Sequence, residues 1–188
     1  MKLINTNDLP RGYLSFSGYK LWLSSQQKYF DKYIIGTEER YSEALLRGKL
    51  FAEQQEIKNG IYGEIEIDCV TDKGVKLFGK LDFFDGTTII DDKTSMNFSN
   101  IKKRSEEQIL FYQLILYKKH GKVFNGELHH YQTQNDMAIL LGDKEIADTA
   151  TIYKCKKPTI KVLKDLEKKI EKDVINIINY ITWKKNLK

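Results

Sequence analysis

The chain has 188 residues, 41% of them hydrophobic and 12% aromatic, with 31 Lys and Arg against 26 Asp and Glu. That length and apolar content suit one self-sufficient core and argue against disorder. No apolar run approaches the roughly 20 residues of a membrane helix, residues 1–10 lack an apolar signal core, and Cys69 and Cys155 alone build neither a disulfide framework nor a four-thiolate zinc or iron–sulfur site. The expected organisation is a single domain over residues 1–188, with a core at about 13–155 and a basic C-terminal helix at about 158–187, in the cytoplasm and off the membrane. The net charge of +5 is unevenly placed, because residues 154–188 carry +7 and residues 1–153 carry −2. A basic segment of that kind suits an acidic partner such as nucleic acid.

In chain order, Ser15 or Ser17 caps a first helix in which Tyr19, Trp22, Leu23, Tyr29 and Phe30 recur at near-helical spacing. Gly36 breaks it, and Thr37 caps a second helix carrying Tyr41, Leu45, Leu46 and Phe51. From Ile61 the period changes to two, which reads as a half-buried strand. Asp72-Lys73-Gly74 turns the chain into a strand over 75–84, and Asp85-Gly86 predicts a two-residue hairpin into a strand over 87–94, completing an antiparallel meander. A largely apolar helix follows over 105–120, then a strand over 124–134, a polar connection over 136–150, an edge segment Thr151-Ile152-Tyr153, and a long final helix after Pro158. The order is that of an α+β fold, with a mixed or antiparallel sheet flanked by helices.

The chemistry concentrates in residues 79–94. With Asp85-Gly86 as a two-residue turn, Asp82 faces Ile89 and Lys80 faces Asp91. Directly opposed residues share a face, as do residues two apart. Lys80, Asp82, Asp91 and Lys93 therefore project from one side, with the two aspartates diagonal neighbours at about 7 Å. Carboxylates so placed suit one divalent cation, which neutralises charge on a phosphodiester and activates water. A lysine two residues along the same face orients that water or stabilises the transition state. Asp92 points to the other face and offers its backbone carbonyl.

These residues resemble the PD-(D/E)XK nuclease superfamily. Gly79-Lys80-Leu81-Asp82 is similar to the family's G-x-x-D strand, and Ile90-Asp91-Asp92-Lys93-Thr94 to its D-x-K-T strand. Ser15-Phe16-Ser17 with its Tyr-rich continuation, Gly48-Lys49-Leu50-Phe51-Ala52-Glu53, and Gln108 to Tyr112 resemble the helices around that core in the branch of RecB nuclease domains and lambda-type exonucleases. The resemblance implies a restriction-endonuclease-like αβββαβ core, a mixed central sheet flanked by helices, and Mg²⁺- or Mn²⁺-dependent cleavage of DNA, with exonuclease action in recombination, repair or replication in a bacterial or phage-infected cell. It implies Asp82, Asp91 and the Asp92 carbonyl as metal ligands, Lys93 as the catalytic lysine, and Gln108 and Tyr112 facing the site. Where RecB-type domains carry a histidine ligand this chain has Ala52, so Glu53, or Glu56 one turn beyond Ala52, is the candidate replacement. The two-cysteine count excludes the iron–sulfur cluster of some relatives. By analogy with lambda-type rings a homo-oligomer is expected, and a recombination or replication protein as partner.

Lys80 and the cluster Lys102, Lys103 and Arg104, placed in a turn before the Gln108 helix, are candidate phosphate contacts. The lysines of the last helix fit either a solvated face or a DNA-tracking surface. His129 and His130, adjacent in a strand, face opposite sides and make no simple metal pair. Two other functions stay open: a non-cutting nucleic-acid-binding or partner-regulating protein on the same fold, and a structure-specific endonuclease.

Overall fold

The computed structural model describes residues 3–37, 46, 48–51, 53, 65–133 and 149–187. Ser15 is the first cap: its hydroxyl accepts the Gly18 N–H at 3.3 Å and opens α1, Phe16–Ser24. The single helix expected here is two. Ser25 adopts an extended conformation (φ −162°) and caps α2, Gln26–Phe30, by accepting the Lys28 N–H at 3.2 Å. Serine competes with the helix for its own backbone, so the Ser24-Ser25 pair interrupts an otherwise continuous aromatic stripe. A π-helical turn, Asp31–Ile35, ends on left-handed Gly36. Of the helix expected after Thr37, Leu46, residues 48–51 and Glu53 are described and helical; Ala52 and Glu56 lie outside the described residues.

Strands β2 (Ile65–Val70) and β3 (Lys76–Leu81) pair antiparallel with Ile67 opposite Gly79. A two-residue strand, β1 (Leu14–Ser15), adds to β3 in parallel and was not anticipated. The expected hairpin is present, with its turn corrected. Strand β4 (Phe83–Phe84) pairs with β5 (Thr88–Ser95) through Phe84 and Ile89, so the loop has four residues and the register moves by two. The cause is Asp85, whose Oδ1 accepts the Thr87 N–H, the Thr88 N–H and the Thr87 hydroxyl, each at 2.7 Å. Three donors on one carboxylate outcompete the tighter turn, with Gly86 supplying the left-handed position (φ +87°). A shift of two preserves side-chain parity. The meander itself is broken: the chain bends at Asp82, and the described strands form two sheets, ordered β1-β3-β2 and, with two further strands, β4-β5-β6-β7.

Helix α3 (Phe98–His120) begins well before residue 105, capped by Asn97, whose side chain accepts the Ser99 N–H at 2.9 Å. Its first two turns hold only Phe98 and Ile101 among polar residues, too few apolar positions to show a period. Lys102, Lys103 and Arg104 therefore stand on the helix rather than in a preceding turn. The helix crosses over to β6 (Asn125–Gln132), parallel to β5, and β7 (Thr151–Lys154) pairs antiparallel with β6 at the edge. Two glycines seat α3 on the sheets. A Cβ on Gly79 would lie 2.7 Å from the Tyr112 ring, and one on Gly126 would overlap the Ile109 side chain.

Helix α4 (Ile160–Asn186), capped by Thr159, buries Leu163, Ile170, Val174, Ile177 and Ile181. Each such side chain contributes about 1.5–3 kcal/mol of burial. The same stripe buries two carboxylates. Glu167 and Glu171 accept the N–H groups of Asp72 and Lys73 at 2.8 Å each, and Lys118 of α3 lies 2.9 Å from Glu167. Lys161, Lys164, Lys168, Lys169 and Lys172 are exposed, as in a packed helix with a solvated lysine face. The result is an α+β fold with mixed sheets flanked by helices and a long C-terminal helix. Among the described residues no helix is long and apolar enough to cross a membrane.

Candidate active site

Strand β5 alternates Ile89, Asp91, Lys93 and Ser95 on the face covered by α3. Ile89 is fully buried, and Asp91 beside it is only 2% exposed. Burial raises the Asp91 pKa, and the Lys93 charge opposes that shift. Lys93 Nζ lies 2.6 Å from Asp91 Oδ2. That ammonium is the contact Oδ2 makes, and no further donor reaches it. The carboxylate is thus desolvated, ion-paired, and left with acceptor capacity.

Asp82, at the bend between the two sheets, accepts the Asp92 N–H on Oδ2 at 2.8 Å. The β4–β5 ladder ends at Phe83 and Ile90, one residue short of Asp82 and Asp91. The bend therefore brings the Asp82 carboxylate against the Asp91–Asp92 peptide. Asp92 faces the other side, where its pKa is pushed up to about 6, by burial first and then by the Asp82 charge, against the pull of His129 and Lys93.

Sequence reasoning missed what surrounds Asp92. In the parallel register Asp92 sits opposite His129, and Thr94 opposite Tyr131. His129 Nδ1 lies 3.7 Å from Asp92 Oδ1, and its Nε2 lies 3.5 Å from Glu127 Oε2. Burial, with the Asp92 charge adding, raises the Tyr131 pKa. His130 faces the buried side, 2.9 Å from the Ser95 hydroxyl. The two histidines do point apart.

Gln108 and Tyr112 are brought together on α3: the Gln108 amide donates to the Tyr112 hydroxyl at 2.7 Å. Tyr112 is also a buried aromatic, its ring lying over Gly79. Lys80 is corrected. It pairs across β2–β3 with Glu66 at 3.6 Å and does not oppose Asp91, because β3 and β5 belong to different sheets. Glu53 carries an exposed carboxylate 3.9 Å from Lys49. Its neighbour Phe51 packs on Tyr131, with ring centroids 4.7 Å apart, which places this helix beside the β6 end of the site. Lys102 lies 6.0 Å from the Tyr153 ring centre, and Lys103 and Arg104 are exposed.

The donor set fits a hard divalent cation. Asp82 is held at the bend by the Asp92 N–H, next to the Asp91 backbone, and the buried Asp91 Oδ2, whose contact is the Lys93 ammonium, is the oxygen such an ion would use. Among the described residues no three His, Cys, Asp or Glu side chains converge at metal-binding spacing, so water would complete the coordination.

A solved structure shares this architecture. The chain is similar to a candidate exonuclease from Eubacterium rectale, with a TM-score of 0.64 and 15% identity over 97% of this chain and 87% of that one. What they share is the fold. A second structure, SSO0001, aligns over 90% of this chain and 77% of that one at a TM-score of 0.47 and 14% identity, a likeness on which nothing here rests. No family model matches the chain, and neither does any curated protein.

Proposed function

We propose that the chain is a Mg²⁺- or Mn²⁺-dependent deoxyribonuclease of the PD-(D/E)XK type, in the RecB and lambda-exonuclease-like branch, acting from the ends of linear DNA. The observation that carries this reading is the buried Asp91 carboxylate, paired with Lys93 at 2.6 Å, beside a bend where Asp82 is held on the Asp92 N–H. The likeness in fold to a candidate exonuclease supports it.

Asp82, Asp91 and the Asp92 carbonyl would hold the cation. Once bound, it supplies Lewis-acid stabilisation of the phosphoryl oxygens and lowers the pKa of water. Lys93, 25% exposed and 2.6 Å from Asp91, would serve as the donor to a nucleophilic water or a phosphoryl oxygen. The Gln108 amide, steadied by Tyr112, presents its free carbonyl oxygen and second N–H as a rigid pair of polar groups on the helix that covers this face.

The test is cleavage of linear duplex DNA with Mg²⁺ or Mn²⁺, comparing wild type with Asp91→Ala, and closed circular DNA alongside. Wild type should degrade the linear substrate and spare the circle, with activity lost in Asp91→Ala. Equal activity in the two proteins would refute the site, and cleavage of the circle would assign an endonuclease. A second reading, a nucleic-acid-binding protein on the same fold that does not cut, draws on Glu53 pairing with Lys49 instead of completing a three-carboxylate set. Duplex binding with no cleavage under either metal would select it.

A further inference from the structure

We propose that the edge of the four-stranded sheet, from β7 through the turn into α4 and joined by the N-terminal turns of α3, is a phosphate-tracking surface that grips duplex DNA beside the hairpin. The proposal rests on the nuclease reading for the identity of the polyanion. The surface itself rests on charge and placement.

Residues 154–164 contain Lys154, Lys156, Lys157, Lys161 and Lys164 and no acidic residue. All five lysines are exposed. Lys154 stands opposite Glu127 in the β6–β7 register, and Asp165 follows the stretch; these are the acids nearest to it in register and sequence. The rest of the chain before residue 154 is slightly acidic, so this strip is where a polyanion meets net positive charge.

Packing carries that charge onto a second element. Phe98, at the start of α3, stacks on Tyr153 of β7 with ring centroids 4.1 Å apart. The Lys102 ammonium lies 6.0 Å from the centre of the same ring. Lys102, with Lys103 and Arg104 exposed on the same helical turn, is thereby added to the strip. Cys155 ties the strip to the hairpin. It follows Lys154, and its N–H bonds at 2.8 Å to the carbonyl of Gly126, a residue that stands opposite Ile89 of β5. In register Asp91 lies opposite Leu128 and Leu128 opposite Tyr153, so the basic edge stands two strands from the buried aspartate.

The chemistry of the strip favours a duplex over a single strand. Single-strand sites interleave basic groups with free aromatic faces on which bases stack. Here Tyr153 is already stacked on Phe98, and the exposed charged groups are ammoniums and a guanidinium. Such a surface reads phosphate spacing and leaves the bases alone. Ile160 and Val162, 47% and 44% exposed at the start of α4, make an anionic bilayer the competing occupant that the test must separate.

The test measures binding of a fluorescent linear duplex in EDTA, which removes cleavage from the readout. The strip variant carries Lys156→Glu, Lys157→Glu and Lys161→Glu. A control with the same charge change carries Lys119→Glu, Lys122→Glu and Lys185→Glu, exposed positions outside the strip. The strip variant should bind at least about tenfold more weakly than the control, and its log K against log salt slope should flatten by about 2.7 if three phosphate contacts are lost, at roughly 0.9 per contact. Equal weakening in the two variants, an unchanged slope, no duplex binding by wild type, or tighter binding to single strands or anionic phospholipid vesicles would each overturn the proposal. A protein that binds through the strip but cleaves nothing would sink the nuclease reading alone, and one that cleaves with both variants equally impaired would sink the strip alone.

Discussion

Gly79→Ala probes the contact that fixes α3 over the site. A Cβ added at Gly79 would lie 2.7 and 2.9 Å from two carbons of the Tyr112 ring and 3.4 Å from Ile67 Cγ1. Carbon atoms rest at about 3.5–4.0 Å, so the ring must retreat by roughly 0.8 Å. It has nowhere easy to go, because its neighbours on α3, Phe111, Leu114 and Ile115, are at most 1% exposed. Overpacking of this kind costs about 1–3 kcal/mol. In a domain of this size that corresponds to a fall in Tm of about 2–4 °C per kcal/mol. The measurement is a urea-denaturation cycle of wild type, Gly79→Ala, Tyr112→Ala and the double variant. Gly79→Ala should cost at least about 1 kcal/mol with Tyr112 present and under about 0.5 kcal/mol with it truncated. The same cost in both backgrounds, or a negligible cost in the first, would refute the contact as the reason for glycine in this strand.

Glu171→Ala removes the acceptor of the Lys73 N–H and the partner of the Lys73 ammonium 3.6 Å away, and should destabilise by about 1–3 kcal/mol while speeding hydrogen exchange at the Lys73 amide; unchanged exchange would contradict the clamp. The pH dependence of the metal-free protein tests Asp92. With its pKa pushed up to about 6, folded Asp92 keeps a proton that the unfolded chain releases near its ordinary value, about 3.9. The folded state then binds more protons between about pH 4 and 6, so this group's contribution to stability falls as pH rises through that window. Relative to Asp92→Asn, wild type should lose about 1–2 kcal/mol across it, after allowance for solvent screening; a gain by wild type would reverse the assignment.

The shared face of Asp91 and Lys93, which lie 2.6 Å apart, was legible because a strand repeats every two residues, and the misjudged turn moved the register by two without changing parity. What the period does not encode is a break. The bend at Asp82 separated Lys80 from the aspartates it was expected to join, and only the split into two sheets reveals it. The His129 and Tyr131 surroundings of Asp92 depend on parallel register across a crossover helix, a relation between segments far apart in sequence. Nothing in the sequence marks Glu167 and Glu171 apart from the lysines of their helix. The two glutamates are buried because two backbone N–H groups of the β2–β3 turn need acceptors there. Conversely, the packed stripe of α4 was plain from its helical spacing alone.

The central claim is that the hairpin holds a divalent cation between Asp82 and Asp91. Titration of Mn²⁺ into the metal-free protein, followed by the loss of its free-ion electron paramagnetic resonance signal, tests that claim without any substrate. Wild type should bind Mn²⁺ at a site that Asp82→Asn and Asp91→Asn each weaken at least about tenfold, as expected when a carboxylate ligand loses its charge. Binding of equal strength in wild type and both variants would place the ion elsewhere and contradict the account.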